Sequence, residues 1–311
     1  MIMKKTITAV LLLLQISVFG QESKFTESEV AATPLIKGTL YAPEKTKPNL
    51  VILIAGSGPT DRNGNQAGMD NNSLRFLAQG LAKDGNAVYS FDKRIFAQAA
   101  AGNMNEDALR FSDFINDVKE IIAYFRAQNK YAKVVVAGHS EGALIGLMAA
   151  QDKRADGYVS IAGPARPIDQ IITDQVAAQM ASLRPEIEGY FDKMRKGEKF
   201  EANPMLQSLF RESVRPYMLS WMQYTPTDEI KKLQIPVLIV NGTKDLQAKA
   251  TEAELLKAAK PDAKLVIIEN MNHVLKEIKG GDAENGQSYA NPDLPVMPEM
   301  ISAVNQFIKT L

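Results

Sequence analysis

The sequence contains no cysteine, one tryptophan, two histidines and no net charge, with Lys+Arg and Asp+Glu both at 36 in 311 residues. The missing cysteine excludes a disulfide framework, a thiolate nucleophile and a lipid-modified cysteine behind a signal segment. A chain without cross-links rests on its hydrophobic core, and this length suffices for one large domain. The charge balance gives no electrostatic basis for binding nucleic acid or an anionic membrane surface. No repeat or low-complexity tract interrupts the chain.

What is present is an ordinary globular composition, 45% hydrophobic and 23% charged. Only the N-terminus departs from it. Lys4 and Lys5 precede an apolar run from Ile7 to Phe19, broken by Thr8, Gln15 and Ser17. This is the layout of a secretory signal peptide over residues 1–20, cut near Gly20–Gln21. The run is shorter than the roughly 20 residues of a membrane helix, so no stable span is expected after its removal. The expected location is secreted or periplasmic.

Beyond the signal, short apolar runs alternate with helical patterns, which predicts a mostly parallel sheet with helices on both faces. Runs at Leu50–Ala55, Ala87–Phe91, Val134–Ala137, Tyr158–Ala162, Pro236–Val240 and Lys264–Ile268 read as strands, those at Leu50–Ala55 and Val134–Ala137 as buried ones. Helices are expected at Ser73–Lys83 with Ser73 as N-cap, Asp107–Asn129, Ala143–Ala150, Glu252–Ala259 and Pro298–Leu311. Ile168 to Leu233 is amphipathic and helical throughout, with no strand signal. The expected organisation is a core of residues 21–167 and 234–311, with a helical cap of residues 168–233 inserted after the sixth strand.

Gly138-His139-Ser140-Glu141-Gly142 falls between a predicted strand and a predicted helix. A nucleophile on so sharp a turn leaves no room for flanking side chains, and glycines two before and two after relieve the crowding. Ser140 is therefore the candidate nucleophile. Its hydroxyl needs a base. His139 adjoins Ser140 and should point elsewhere, which leaves His273, on a loop after the last strand. Asp245, just past the strand ending at Val240, is the candidate acid that orients His273. Glu269, expected within a strand, is the weaker rival. An oxyanion would need two backbone N–H donors, assigned to Glu141 and Ser57. The Gly56-Ser57-Gly58 turn lacks the Gly-Lys-Ser/Thr ending of a phosphate loop.

These residues, in the order Ser140, Asp245, His273, resemble the α/β-hydrolase superfamily. Gly56-Ser-Gly-Pro-Thr-Asp-Arg-Asn-Gly-Asn65, Phe91-Asp-Lys-Arg94 and Asn291-Pro-Asp-Leu-Pro295 narrow the resemblance to bacterial secreted hydrolases of the serine aminopeptidase S33-like and acyl-esterase branches. The resemblance implies the α/β-hydrolase fold, a Ser–Asp–His hydrolase under a helical cap, and no metal or other cofactor. Two positions depart from the pattern. Ala55-Gly56 stands for the common His-Gly, and Ile95 replaces the glycine often found after Asp-Lys-Arg, altering a loop near the pocket.

The expected activity is hydrolysis of carboxylic esters through an acyl-enzyme on Ser140, with a small-molecule acyl ester or a short peptide as substrate. An aminopeptidase would keep the same chemistry and use cap carboxylates, from Glu186, Glu188, Glu198, Glu201 and Glu212, to hold an ammonium group. A non-catalytic binding protein on this fold is the third reading. Met218, Trp221 and Met222 are the expected pocket residues, because thioethers and aromatics suit an acyl group.

Overall fold

The computed structural model describes residues 24–152 and 154–311. The signal peptide expected over residues 1–20 lies outside the described residues.

Eight strands form one sheet: β1 (Phe25–Ala31), β2 (Lys37–Pro43), β3 (Leu50–Ile54), β4 (Ala87–Phe91), β5 (Val134–His139), β6 (Gly157–Ile161), β7 (Val237–Gly242) and β8 (Lys264–Ile268). Their order is β1-β2-β4-β3-β5-β6-β7-β8. β1 and β2 pair antiparallel, as do β2 and β4, and all other neighbours are parallel.

The six apolar runs read from the sequence are β3 to β8. β1 and β2 escaped notice because β1, Phe-Thr-Glu-Ser-Glu-Val-Ala, is a mostly exposed edge strand without an apolar run. β3 is buried along its length, and its side chains alternate between two cores. Ile52 and Ile54 face one core with helices α3 (Phe111–Ala127) and α4 (Glu141–Ala150). Val51 and Leu53 face the other, with α1 (Ser73–Lys83) and α12 (Pro298–Ile308). α10 (Ala250–Ala259) joins the first core and α11 (Asp282–Ser288) precedes α12.

Two local expectations are corrected. Ser73 is the first residue of α1, and the cap position belongs to Asn72, held at φ 52°. After Asp92-Lys93-Arg94 the chain enters a short helix, α2 (Arg94–Ala100), so Ile95 lies in a helix and not in a loop at the pocket.

Between β6 and β7 the chain forms only helices: α5 (Ile168–Gln179), α6 (Arg184–Lys196), α7 (Gln207–Phe210), α8 (Arg215–Trp221) and α9 (Pro226–Ile230), with short 3₁₀ turns. Their apolar faces join the first core. Trp221 stacks on Phe111 of α3, centroids 5.2 Å apart and planes 11° apart. Among the described residues no helix is long and apolar enough to cross a membrane.

The strand order fixes where a ligand fits. β3 leads to β4 on one side, and the chain then returns to β5 on the other. Diverging connections open a crevice at the carboxyl ends of β3 and β5. Gly56-Ser57 follows β3, and Ser140 follows β5.

Candidate active site

The turn from β5 to α4 carries Ser140 at φ 55° and ψ −118°, a conformation that L-residues rarely adopt. Tertiary contacts hold it there. Ser140 N–H donates to the Ile161 carbonyl at 2.9 Å. A side chain at Gly138 would overlap the Gly142 backbone, and one at Gly142 would meet the carbonyls of Ile54 and Ala55 at 2.6 Å. The two motif glycines thus let the elbow close on itself and lie against the end of β3.

Ser140 is half-buried and lines a cleft of about 210 Å³ together with Ser57, His139 and His273. Its hydroxyl makes no hydrogen bond among the described residues. Such contacts often tighten only when substrate binds.

His273 lies beyond β8 and is 4% exposed. Its Nδ1 lies 2.8 Å from Asp245 Oδ2. The other carboxylate oxygen of Asp245 accepts from the backbone N–H groups of Gln247 at 2.8 Å and Ala248 at 2.9 Å. Each oxygen of this shielded carboxylate is therefore engaged, which fixes the plane in which it meets the imidazole. With Nδ1–H donating to Asp245, the neutral ring carries its lone pair on Nε2. Glu269 is exposed in a turn after β8, and among the described residues it is the Asp245 carboxylate that pairs with His273.

His139 is buried, and its Nε2 lies 2.8 Å from the His273 carbonyl. Burial, with the His273 ring beside it, pushes the His139 imidazole down to about 3. It is therefore neutral and donates its Nε2–H to that carbonyl.

The backbone N–H groups of Ser57 and Glu141 have no acceptor among the described residues. Glu141 is the first residue of α4, where N–H groups lack helical partners. The Ser57 carbonyl accepts from Thr60 Oγ1 at 2.7 Å and Gln66 Nε2 at 3.0 Å.

Met218, Trp221 and Met222 do not line this cleft. Met218 and Trp221 are buried and Met222 is half-buried against the first core, because α8 turns its apolar face onto α3. The cleft is instead lined by Gln66, Asn71, Gln247 and Tyr289, from loops of the sheet domain. These amides sit in stretches without periodicity, which gives a sequence reading nothing to seize on. None of the acidic residues expected to hold an ammonium group lines the cleft.

The contacts of three polar side chains behind the cleft, buried Lys93 and Glu141 and half-buried Tyr217, were not visible in the sequence. Lys93 Nζ donates to the Gly56 carbonyl at 2.6 Å and lies 3.3 Å from Glu141 Oε2. Tyr217 of α8 donates its hydroxyl to Glu141 Oε1. Burial and the Glu141 carboxylate raise the Tyr217 phenol well above its usual range, so it keeps that proton. The signal was available, since Asp92-Lys93-Arg94 stood out only as part of a resemblance.

A mostly parallel eight-stranded sheet, a strained serine at the β5–α4 turn and a cleft at the switch point define the α/β-hydrolase fold. Est1E from Butyrivibrio proteoclasticus shares that fold, with a TM-score of 0.58 at 15% identity over 91% of this chain and 99% of that one. An esterase from Pyrococcus furiosus matches with a TM-score of 0.55 at 16% identity, over 93% of this chain and 91% of that one. The family model described as serine aminopeptidase, S33, matches residues 68–277, and the chain belongs to that family. Esterase EstD of Thermotoga maritima is 26% identical over 257 residues, 81% of this chain. The chain spans 60% of that relative's length.

Proposed function

We propose that this protein is a serine hydrolase that cleaves carboxylic esters through an acyl-enzyme on Ser140. The observation that carries the reading is the 2.8 Å contact between His273 Nδ1 and Asp245, with His273 and Ser140 on one cleft. Asp245 holds the imidazole in the tautomer that leaves Nε2 free as base. His273 Nε2 takes the Ser140 proton as Oγ bonds to the substrate carbonyl carbon. The carbonyl oxygen becomes an oxyanion, held by the N–H groups of Ser57 and Glu141. The intermediate collapses, and the leaving alkoxide takes the proton from His273. Water then gives a proton to the same nitrogen and attacks the acyl carbon, and as the bond from Oγ to that carbon breaks His273 returns the proton to Ser140 and the acid leaves.

The similarity to EstD supports an ester substrate. The aminopeptidase reading rests on the family description, and the lining of the cleft disfavours it, since an ammonium group needs a carboxylate there. We also read residues 168–233 as a helical cap and residues 1–20 as an export signal, which makes the mature protein secreted or periplasmic.

The test is turnover of p-nitrophenyl esters and of aminoacyl amides by the purified protein beside Ser140→Ala. Ester cleavage lost in Ser140→Ala is expected. Ester cleavage retained in Ser140→Ala would sink the proposal, and cleavage of amides alone would move it to the peptidase.

A further inference from the structure

Lys93 is 3% exposed and Glu141 is 3% exposed, so their 3.3 Å ion pair lies in the interior. Burying such a pair is costly and is a weak route to stability. What distinguishes this one is where its two arms end. One is the carbonyl of Gly56, at 2.6 Å. That carbonyl and the Ser57 N–H belong to one peptide plane, and the chain has no cis peptide among the described residues. In a trans peptide the C=O and N–H point in opposite directions. A cation on the Gly56 oxygen therefore turns the Ser57 N–H away from Lys93, and polarises the amide so that it donates more strongly. The next peptide is held as well, since Thr60 and Gln66 both donate to the Ser57 carbonyl.

The other arm ends on Glu141, whose own N–H is the second proposed donor. Its carboxylate is fixed from two sides, by Lys93 and by the Tyr217 hydroxyl from α8. The two donor segments also touch directly. A side chain at Gly56 would come within 3.3 Å of Ser140 Cβ and His139 Nδ1. The residues flanking Lys93 brace a neighbouring loop and helix α3. Asp92 accepts from Arg62 Nε at 2.9 Å, and Arg94 Nε donates to Asp117 at 2.8 Å.

We propose that Lys93 is the positioning residue of the oxyanion hole, with one ammonium group locking the peptide of Ser57 and the side chain of Glu141, and Tyr217 tying that lock to the helices between β6 and β7. The inference rests on the assignment of Ser57 and Glu141 as oxyanion donors. It predicts a defect that appears when the tetrahedral oxyanion forms, not when the planar ester binds.

The experiment compares the parent, Lys93→Met and Tyr217→Phe on a p-nitrophenyl ester, with kcat expressed per titrated active site. It also measures inhibition by a trifluoromethyl ketone, whose adduct on Ser140 carries a tetrahedral oxyanion. Lys93→Met is expected to lower kcat roughly 10- to 100-fold, below the full loss of one donor, with KM within about twofold. The ketone Ki should rise by the factor by which kcat/KM falls. Tyr217→Phe should show the same pattern at roughly 3- to 10-fold, and carries the test if Lys93→Met does not fold. A folded Lys93→Met with parental kcat, or ketone affinity that does not follow kcat/KM, overturns the inference. If Lys93→Met does not fold, Tyr217→Phe with parental kcat and ketone affinity does so. Either result with an inactive Ser140→Ala would leave the Ser140 mechanism standing, whereas an active Ser140→Ala would remove the mechanism itself.

Discussion

His139 and His273, 134 residues apart in the chain, lie with ring centroids 4.7 Å apart and planes at 51°, and the first donates to the backbone of the second. The residue next to the proposed nucleophile thus supports the loop that carries the proposed base. The chain's two histidines are held differently, His273 by the Asp245 carboxylate and His139 buried and neutral.

That division has a pH signature. The unfolded chain protonates His139 near 6.5, whereas the folded chain does so only near 3. Between those values the unfolded state binds more protons, so stability falls as pH falls through that window. In His139→Gln this contribution vanishes. Denaturant melts at pH 7 and pH 4.5 should show the parent losing about 2–3 kcal/mol more than the variant. Equal losses would contradict a neutral, buried His139.

Asp245→Asn should keep the fold and lower kcat by roughly 10³- to 10⁴-fold, because an amide can hold the wrong imidazole tautomer. Steady-state kinetics on a p-nitrophenyl ester measures this, beside Glu269→Gln, expected within about twofold of the parent.

Trp221→Ala separates a core residue from a pocket residue. Losing the stack on Phe111 should destabilise the protein by about 3–5 kcal/mol. KM for short esters should stay near the parental value at a temperature where the variant is folded. A large KM change without a stability change would return Trp221 to the pocket.

The cleft amides should set KM instead. Gln247→Leu should raise KM for short polar esters by roughly 3- to 10-fold with a smaller change in kcat, because Gln247 donates its amide to Tyr289 at 3.1 Å across the lining. Unchanged KM would place the acyl or alcohol group elsewhere.

Much of this was legible in the sequence for identifiable reasons. β3 to β7 announced themselves because strands buried on both faces must be continuously apolar, and β8, a partly exposed edge, because its run Leu265–Ile268 is apolar all the same. Ser140 was legible because the elbow's geometry demands Gly138 and Gly142. His273 and Asp245 followed from scarcity and chain order. β1 was hidden by its exposed edge. Trp221 was misread because burial in a core and lining of a pocket select the same side chains. The roles of Lys93 and Tyr217 were hidden because charge and hydroxyl are normally surface features, and only the packing reveals that Lys93 is buried and Tyr217 half-buried behind the cleft.

The most direct test of the account is the mass of the intact protein, and of its tryptic peptides, after incubation with a fluorophosphonate. The account predicts one adduct per chain, located on Ser140 and strongly slowed in His273→Gln. No adduct on folded protein, or an adduct on another residue, would contradict it.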